Sequence, residues 1–267
     1  MKIGFIGMGS VALAIIKGIN RRETADLELF GYDPHRERAE ALAELCSLKA
    51  CGSDEEAAEN SDVLVLAVKP GELASAAERL KEADGKLIIS LVEGKRLASM
   101  EKWFPNSAIA RIIPNINAKV NASVTGMCFN DKVTEEQKLF VSKILEGIGT
   151  YMEIEERFAG IFGCIGSAVP AFTYIYINAL AEAALREGMS KQKALEIAAQ
   201  SVLGSAEMLL KSAVHPFALA DQTCSPGGAA VEGVLMLHKL GFEHAVHEAA
   251  LAVIEKSSAA STEDESI

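Results

Sequence analysis

The sequence predicts an α/β domain, wound on both faces of a parallel sheet, followed by an all-α domain. Three observations carry this reading. Up to Asn115, short apolar runs rich in β-formers alternate with helical patterns. A glycine-rich turn, Gly7-Met8-Gly9-Ser10-Val11-Ala12, joins the first strand to the first helix. From about Glu155 the strand signals stop and alanine-rich helical periodicity takes over. A length of 267 residues suits one to two compact units. The boundary is expected near Glu155, giving domains 1–154 and 155–267.

In chain order, strands are expected at Lys2–Ile6, Leu27–Tyr32, Leu48–Cys51, Val63–Val68, Leu87–Ser90 and Ala108–Ile113. Helices at Val11–Asn20, Pro34–Cys46 and Glu72–Glu82 separate them. The run Val63-Leu64-Val65-Leu66-Ala67-Val68 has no polar face, the mark of a strand covered on both sides and hence of a parallel sheet. Val124–Phe129 and Gly149–Ile154, flanking a helical Thr134–Glu146, extend the same sheet. The second domain reads as helices at Val169–Glu187, Lys191–Lys211, Gly228–Lys239 and Glu243–Lys256. The small and acidic residues Ser257 to Ile267 are expected to form a flexible tail.

Composition narrows the function classes. With 26 Lys and Arg against 37 Asp and Glu, the net charge is −11, which argues against nucleic-acid or anionic-membrane partners. The five cysteines, Cys46, Cys51, Cys128, Cys164 and Cys224, include no CxxC pair. Neither a disulfide framework nor a metal site is expected, and a reducing cytoplasm fits. Met1 leads straight into a strand with no signal-peptide pattern, so export is not expected. Residues 158–181 carry no charge, long enough on paper to span a bilayer. Their glycines, Ser167, Pro170, Thr173 and Asn178, and the lack of flanking basic clusters, point instead to burial inside protein, with a partner subunit able to supply the cover. Tyr174 and Tyr176 are core candidates on the same reading, and His215, His238, His244 and His247 read as structural.

The glycine-rich turn carries the sharpest chemistry. Gly7 permits the tight turn, Gly9 lets the backbone approach a pyrophosphate, and Ala12 allows close helix–sheet packing. Ser10 and Val11 open a helix whose N-terminus faces the anion. Strand, turn, helix and second strand coincide between Lys2 and Asp33, the context that a dinucleotide site requires. Asp33 ends the second strand, where a carboxylate accepts from the adenosine ribose 2′-hydroxyl and favours NAD. His35, Arg36 and Arg38 follow at once and suit a 2′-phosphate, so NADPH and NADH both remain open, with charge leaning slightly to NAD.

Five short motifs then occur in one order: Gly4-Phe5-Ile6-Gly7-Met8-Gly9, Ala67-Val68-Lys69-Pro70, Ile89-Ser90-Leu91-Val92-Glu93-Gly94, Arg111-Ile112-Ile113-Pro114-Asn115 and Ser225-Pro226-Gly227-Gly228. In order and content the chain resembles pyrroline-5-carboxylate reductases along nearly its whole length. The resemblance implies a Rossmann-type domain followed by an all-α dimerisation domain. It also implies a homodimer, in some members a higher assembly of dimers, and reduction of the cyclic imine 1-pyrroline-5-carboxylate to proline. It places Val68, Lys69 and Pro70 beside the nicotinamide and Asn115 by the substrate cleft. Ser225, Gly227 and Gly228 then offer a hydroxyl and free N–H groups to the substrate carboxylate, with Lys69, Asn115 and Ser225 as the catalytic candidates.

Two departures fall in the substrate half. Family members usually carry threonine directly after Ser-Pro-Gly-Gly, where this chain has Ala229 and Ala230, and Val169 stands where a glycine is usual. Two alternatives follow: reduction of a different imine or carbonyl compound on the same fold, and non-catalytic dinucleotide binding. A hydroxyacid dehydrogenase of this layout would carry a lysine on the first long helix of the α domain, and no lysine lies between Lys143 and Lys191.

Overall fold

The computed structural model describes residues 1–22 and 27–264, except for the side chains of Arg38 and residues 258–264. Its elements in order are β1 (Lys2–Ile6), α1 (Ser10–Arg21), β2 (Glu28–Tyr32), α2 (Arg36–Cys46), β3 (Leu48–Ala50), α3 (Asp54–Glu59), β4 (Val63–Leu66), α4 (Leu73–Arg79), β5 (Leu87–Ser90), α5 (Leu97–Trp103), β6 (Ala108–Ile113), β7 (Ser123–Phe129), α6 (Glu135–Leu145), β8 (Gly149–Glu153) and α7 (Ala159–Phe162). A π-turn over Gly163–Ala168 follows, then α8 (Val169–Arg186), α9 (Lys191–Lys211), α10 (Pro216–Thr223), α11 (Ala229–Lys239) and α12 (Phe242–Asp264). Two compact units result, residues 1–168 with 253–267, and residues 169–252.

The first unit is built on one eight-stranded sheet in the order β3-β2-β1-β4-β5-β6-β7-β8. Strands β1 to β6 run parallel to one another, whereas β7 runs antiparallel to β6. Strand β8 lies parallel to β7. Successive side chains on a strand face opposite ways, and this divides the core in two. Ile3, Phe5, Val63, Val65, Leu87 and Ile89 meet α1, α2 and α6 on one face. Ile6, Leu64, Leu66 and Ile88 meet α3, α4 and α5 on the other. The continuous apolar strands of the sequence are therefore covered twice, as a doubly wound sheet requires.

Four helices beyond those expected appear among the described residues: α3, α5, α7 and α10. Ser53 caps α3, its Oγ accepting from Glu56 N at 3.1 Å, and three acidic residues fill its first turn, a local signal that favours a helix start. Pro216 opens α10 behind His215, whose ring nitrogen accepts from Phe217 N, so His215 is a helix cap. Helix α5 has no capping side chain of its own. Its first amide, Leu97 N, is met instead by Glu156 Oε1 at 2.8 Å, a cap that the local sequence does not contain. At the other end of the chain, α12 runs on to Asp264 through most of the segment expected as a tail, since no Gly or Pro interrupts it. Residues 265–267 lie outside the described residues.

The second unit is helical throughout. Helices α8 and α9 are joined through a turn at Gly188, whose φ is +95°, and Lys191 Nζ donates to Asn178 Oδ1 across it at 2.7 Å. Pro170, Ala181, Ala194 and Ala198 are its buried residues. Tyr174 is 58% exposed and Tyr176 38%, so neither is in a core formed by this chain alone. The run Glu156–Arg186 is long and apolar enough to cross a membrane by length and composition, yet only 17% of its most apolar window is buried.

Candidate active site

The strand order reverses between β1 and β4, because β2 continues on one side of β1 and β4 on the other. Ligands of open α/β sheets bind at the carboxyl ends of the strands at such a point. The loop after β1 is shaped for this. Gly7 has φ +84°, and a Cβ there would stand 2.8 Å from the Ala67 carbonyl oxygen on the loop after β4. Only glycine lets the two loops meet this closely. A Cβ on Gly9 would meet nothing within 4 Å, leaving open space before the first turn of α1. That turn holds no acidic residue and no capping side chain, and Ala12 is fully buried against the sheet. Free amides, open space and no opposing charge fit a pyrophosphate at this helix N-terminus.

Asp33, at the end of β2, is 5% exposed. Its Oδ2 accepts from Met8 N at 3.0 Å, and its Oδ1 accepts from His35 N at 2.9 Å and lies 3.1 Å from His35 Nδ1. The carboxylate thus ties β2 to the glycine-rich loop. His35 and Arg36 are exposed beside it, and the Arg38 side chain lies outside the described residues. After β4, Val68 is half-buried while Lys69 and Pro70 are exposed. Lys69 N–H donates to Glu72 Oε2 at 3.3 Å, closing the turn.

A cavity of about 600 Å³ opens beside the start of α1. Ser10, Val11, Glu93, Arg111, Gly163 and Ser167 are among its walls. Asn115 also lines it but is not a free reactive amide. Its Nδ2 donates to Gly166 O at 2.7 Å, its Oδ1 accepts from Asn117 N at 3.0 Å, and its own N–H donates to Ser123 Oγ at 3.1 Å. Ser167 Oγ donates to Pro114 O at 3.2 Å, so the π-turn is held to the Pro114-Asn115 corner at two adjacent residues. At the far end of the same wall, Arg111 Nη1 donates to Glu156 Oε1 at 2.9 Å. The Arg111 side chain is 9% exposed, and this pair and the Leu97 amide share one carboxylate. Reading the residues individually missed Arg111, Glu93, Gly163 and Ser167 as cavity walls. The Glu93-Gly94 and Arg111-Asn115 motifs were the signal for two of them.

The remaining candidates lie on the second unit. Gly228 N donates to Ser225 O at 2.9 Å, and Gly227 takes φ +70°, so Ser225-Pro226-Gly227-Gly228 forms a tight turn into α11. Gly228 caps that helix without a side chain, and Ser225, Ala229 and Ala230 are exposed. Thr223, the nearest other hydroxyl, is spent on its own helix, donating to Ala220 O at 2.7 Å.

Residues 155–260 match the family model for pyrroline-5-carboxylate reductase dimerisation, and residues 2–94 match that for NADP oxidoreductase, coenzyme F420-dependent. The pyrroline-5-carboxylate reductase of Escherichia coli strain K12 is 35% identical over 261 residues, covering 96% of this chain and 97% of the relative. The chain belongs to the pyrroline-5-carboxylate reductase family. The Synechocystis reductase is 33% identical over 96% of this chain and 97% of its own length. Among solved structures, the Plasmodium falciparum pyrroline carboxylate reductase with NADP bound superposes with a TM-score of 0.88 at 30% identity, covering 98% of each chain. The Streptococcus pyogenes enzyme gives a TM-score of 0.87 at 33% identity, covering 97% of this chain and 98% of that one. The family fold, a Rossmann-type domain followed by a helical dimerisation domain, is the fold of this chain.

Proposed function

We propose that the chain is an NAD(P)H-dependent reductase that converts 1-pyrroline-5-carboxylate to proline. One observation carries the reading: full-length relationship to this family coincides with an intact dinucleotide loop opening beside a cavity of substrate size. When bound, the reduced nicotinamide supplies the hydride that reaches C5 of the protonated ring imine. The protein's own task is orientation and exclusion of water. The amides at the start of α1 hold the pyrophosphate, Val68, Lys69 and Pro70 flank the nicotinamide, and Asn115 fixes the cavity wall. Ser225 and the uncapped amides of α11, with Gly227 and Gly228, hold the substrate carboxylate. With alanine at 229 and 230, the Ser225 hydroxyl is the donor left in that turn.

The working unit is a homodimer, and a higher assembly would be built from such dimers. The dimerisation match over 155–260 and the exposed apolar faces of the second unit support this. Five free cysteines and the acidic composition fit a cytoplasmic enzyme with no membrane or nucleic-acid partner. Consumption of NADH and NADPH should be followed with pyrroline-5-carboxylate, its six-membered homologue and a set of 2-keto acids. The five-membered imine should give the highest kcat/KM. Faster turnover of a keto acid, or binding without turnover of any of them, would sink the reading.

A further inference from the structure

The residues after β2 bear on which nicotinamide cofactor the chain takes, a question that rests on the reductase reading but is decided at a different place. A carboxylate at the end of β2 selects NAD when its oxygens face the ribose hydroxyls, and repels the extra phosphate of NADP. Asp33 does not present itself this way. It is 5% exposed, and its oxygens are turned toward the glycine-rich loop and back onto its own turn, meeting Met8 N, His35 N and His35 Nδ1. The imidazole of His35 lies against one oxygen of the carboxylate while remaining 71% exposed itself. Arg36 follows with 89% of its side chain exposed, bonded to Glu40 at 2.8 Å one helical turn on. Such an exposed ion pair is only weakly held against water and salt, so the guanidinium is available to a dianionic phosphate at little cost. Guanidinium and imidazole N–H groups are suited donors for phosphate oxygens.

We propose that the chain prefers NADPH to NADH, with His35 and Arg36 reading the 2′-phosphate while Asp33 acts as a positioning residue for the glycine-rich loop. Asp33 then contributes to both cofactors alike, through the Met8 amide, and discriminates against neither.

Calorimetric binding of NADP⁺ and NAD⁺ to the full-length protein tests this without turnover. NADP⁺ should bind at least tenfold more tightly, and 2′,5′-ADP should bind more tightly than 5′-AMP. The double variant His35→Ala, Arg36→Ala should lose about tenfold in NADP⁺ affinity and stay within twofold for NAD⁺. Asp33→Asn separates the two roles of the carboxylate. As a loop organiser its loss weakens both dinucleotides by similar factors, whereas as a ribose reader its loss weakens NAD⁺ and strengthens NADP⁺. The proposal is overturned by equal or tighter binding of NAD⁺ to the unaltered protein, by a double variant that weakens both alike, or by the second pattern for Asp33→Asn. Preferential NADP⁺ binding without reduction of pyrroline-5-carboxylate would uphold the phosphate site and remove the catalytic reading. Binding of neither dinucleotide would remove both.

Discussion

Asn115 holds Gly166 by a 2.7 Å hydrogen bond from its side-chain amide to the glycine carbonyl, across 51 residues of chain. This bond is buried and joins the end of β6 to the π-turn, so the cavity wall depends on an amide that sequence reading treats as a catalytic candidate. Asn115→Asp keeps the shape and replaces the donor with an oxygen facing the Gly166 carbonyl. The expected cost is about 1–3 kcal/mol of stability, with a tenfold or greater fall in kcat/KM for the imine as the wall shifts. Denaturant titration alongside steady-state kinetics measures both. Unchanged kinetics would remove Asn115 from any part in shaping the site.

Gly18 on α1 and Gly147 beyond α6 touch backbone to backbone, a Cβ on Gly18 falling 2.8 Å from the Gly147 carbonyl carbon and oxygen. In an exposed helix Gly→Ala stabilises by up to about 1 kcal/mol. Here the new methyl meets main chain that cannot rotate away, and overpacking costs about 1–3 kcal/mol. Gly18→Ala should therefore destabilise, a sign that an equilibrium unfolding curve reads directly.

Ile175 on α8 is 71% exposed in the single chain. Covered by a second copy, a charge there would be buried without a partner. Ile175→Glu should shift the sedimentation profile from dimer toward monomer, and a profile that stays dimeric would place the interface on another face of the second unit.

Asp54 sits below the usual carboxylate range. Burial alone would raise it, but hydrogen bonding and charge from the Arg79 guanidinium, with Nη2 at 2.6 Å and Nε at 2.8 Å, together with hydrogen bonding from Glu55 and the local backbone, outweigh burial. Because the folded-state pKa is depressed, the stabilisation is fully present above the unfolded carboxyl value of about 3.9 and is lost as pH falls through the folded value. Asp54→Asn should cost about 1–3 kcal/mol at neutral pH and much less in acid. Parallel unfolding curves for the two proteins at both pH values test this.

Ala230 follows the Ser225–Gly228 turn and is exposed in the first turn of α11. If the Ser225 hydroxyl is the one side-chain donor this turn offers the substrate, Ala230→Thr adds a second and should raise kcat/KM by about tenfold, or roughly 1.4 kcal/mol. Lost turnover would instead mark a pocket shaped for an apolar group. A Ser225→Ala variant that loses more than Ala230→Thr gains would identify Ser225 as the principal donor.

The sheet was legible in the sequence because a strand covered on both faces must be apolar at every position, and Val63 to Leu66, short and rich in β-branched residues, is such a run. The glycine-rich loop was legible because tight turns and close backbone approaches restrict residue type locally, as Gly7 does against Ala67. The reversal of β7 was not legible, since an apolar β-rich run reads the same in either direction. Helix α5 was missed because its cap is Glu156, brought to Leu97 by the fold and not by neighbouring sequence.

By itself the sequence determined the order of the strands and of the longer helices, the two-part architecture and the place of the glycine-rich loop, all of which follow from residue patterns a few positions long. Only the tertiary structure decided what the polar side chains at the site do. Whether Asp33 faces a ribose or the Met8 amide, whether Asn115 is free or spent on Gly166, and whether Arg111 is unpaired or held by Glu156 each depend on partners 25 to 51 residues away. A polar group must satisfy its hydrogen bonds before it can serve a ligand, and those distant partners exist only once the chain has folded.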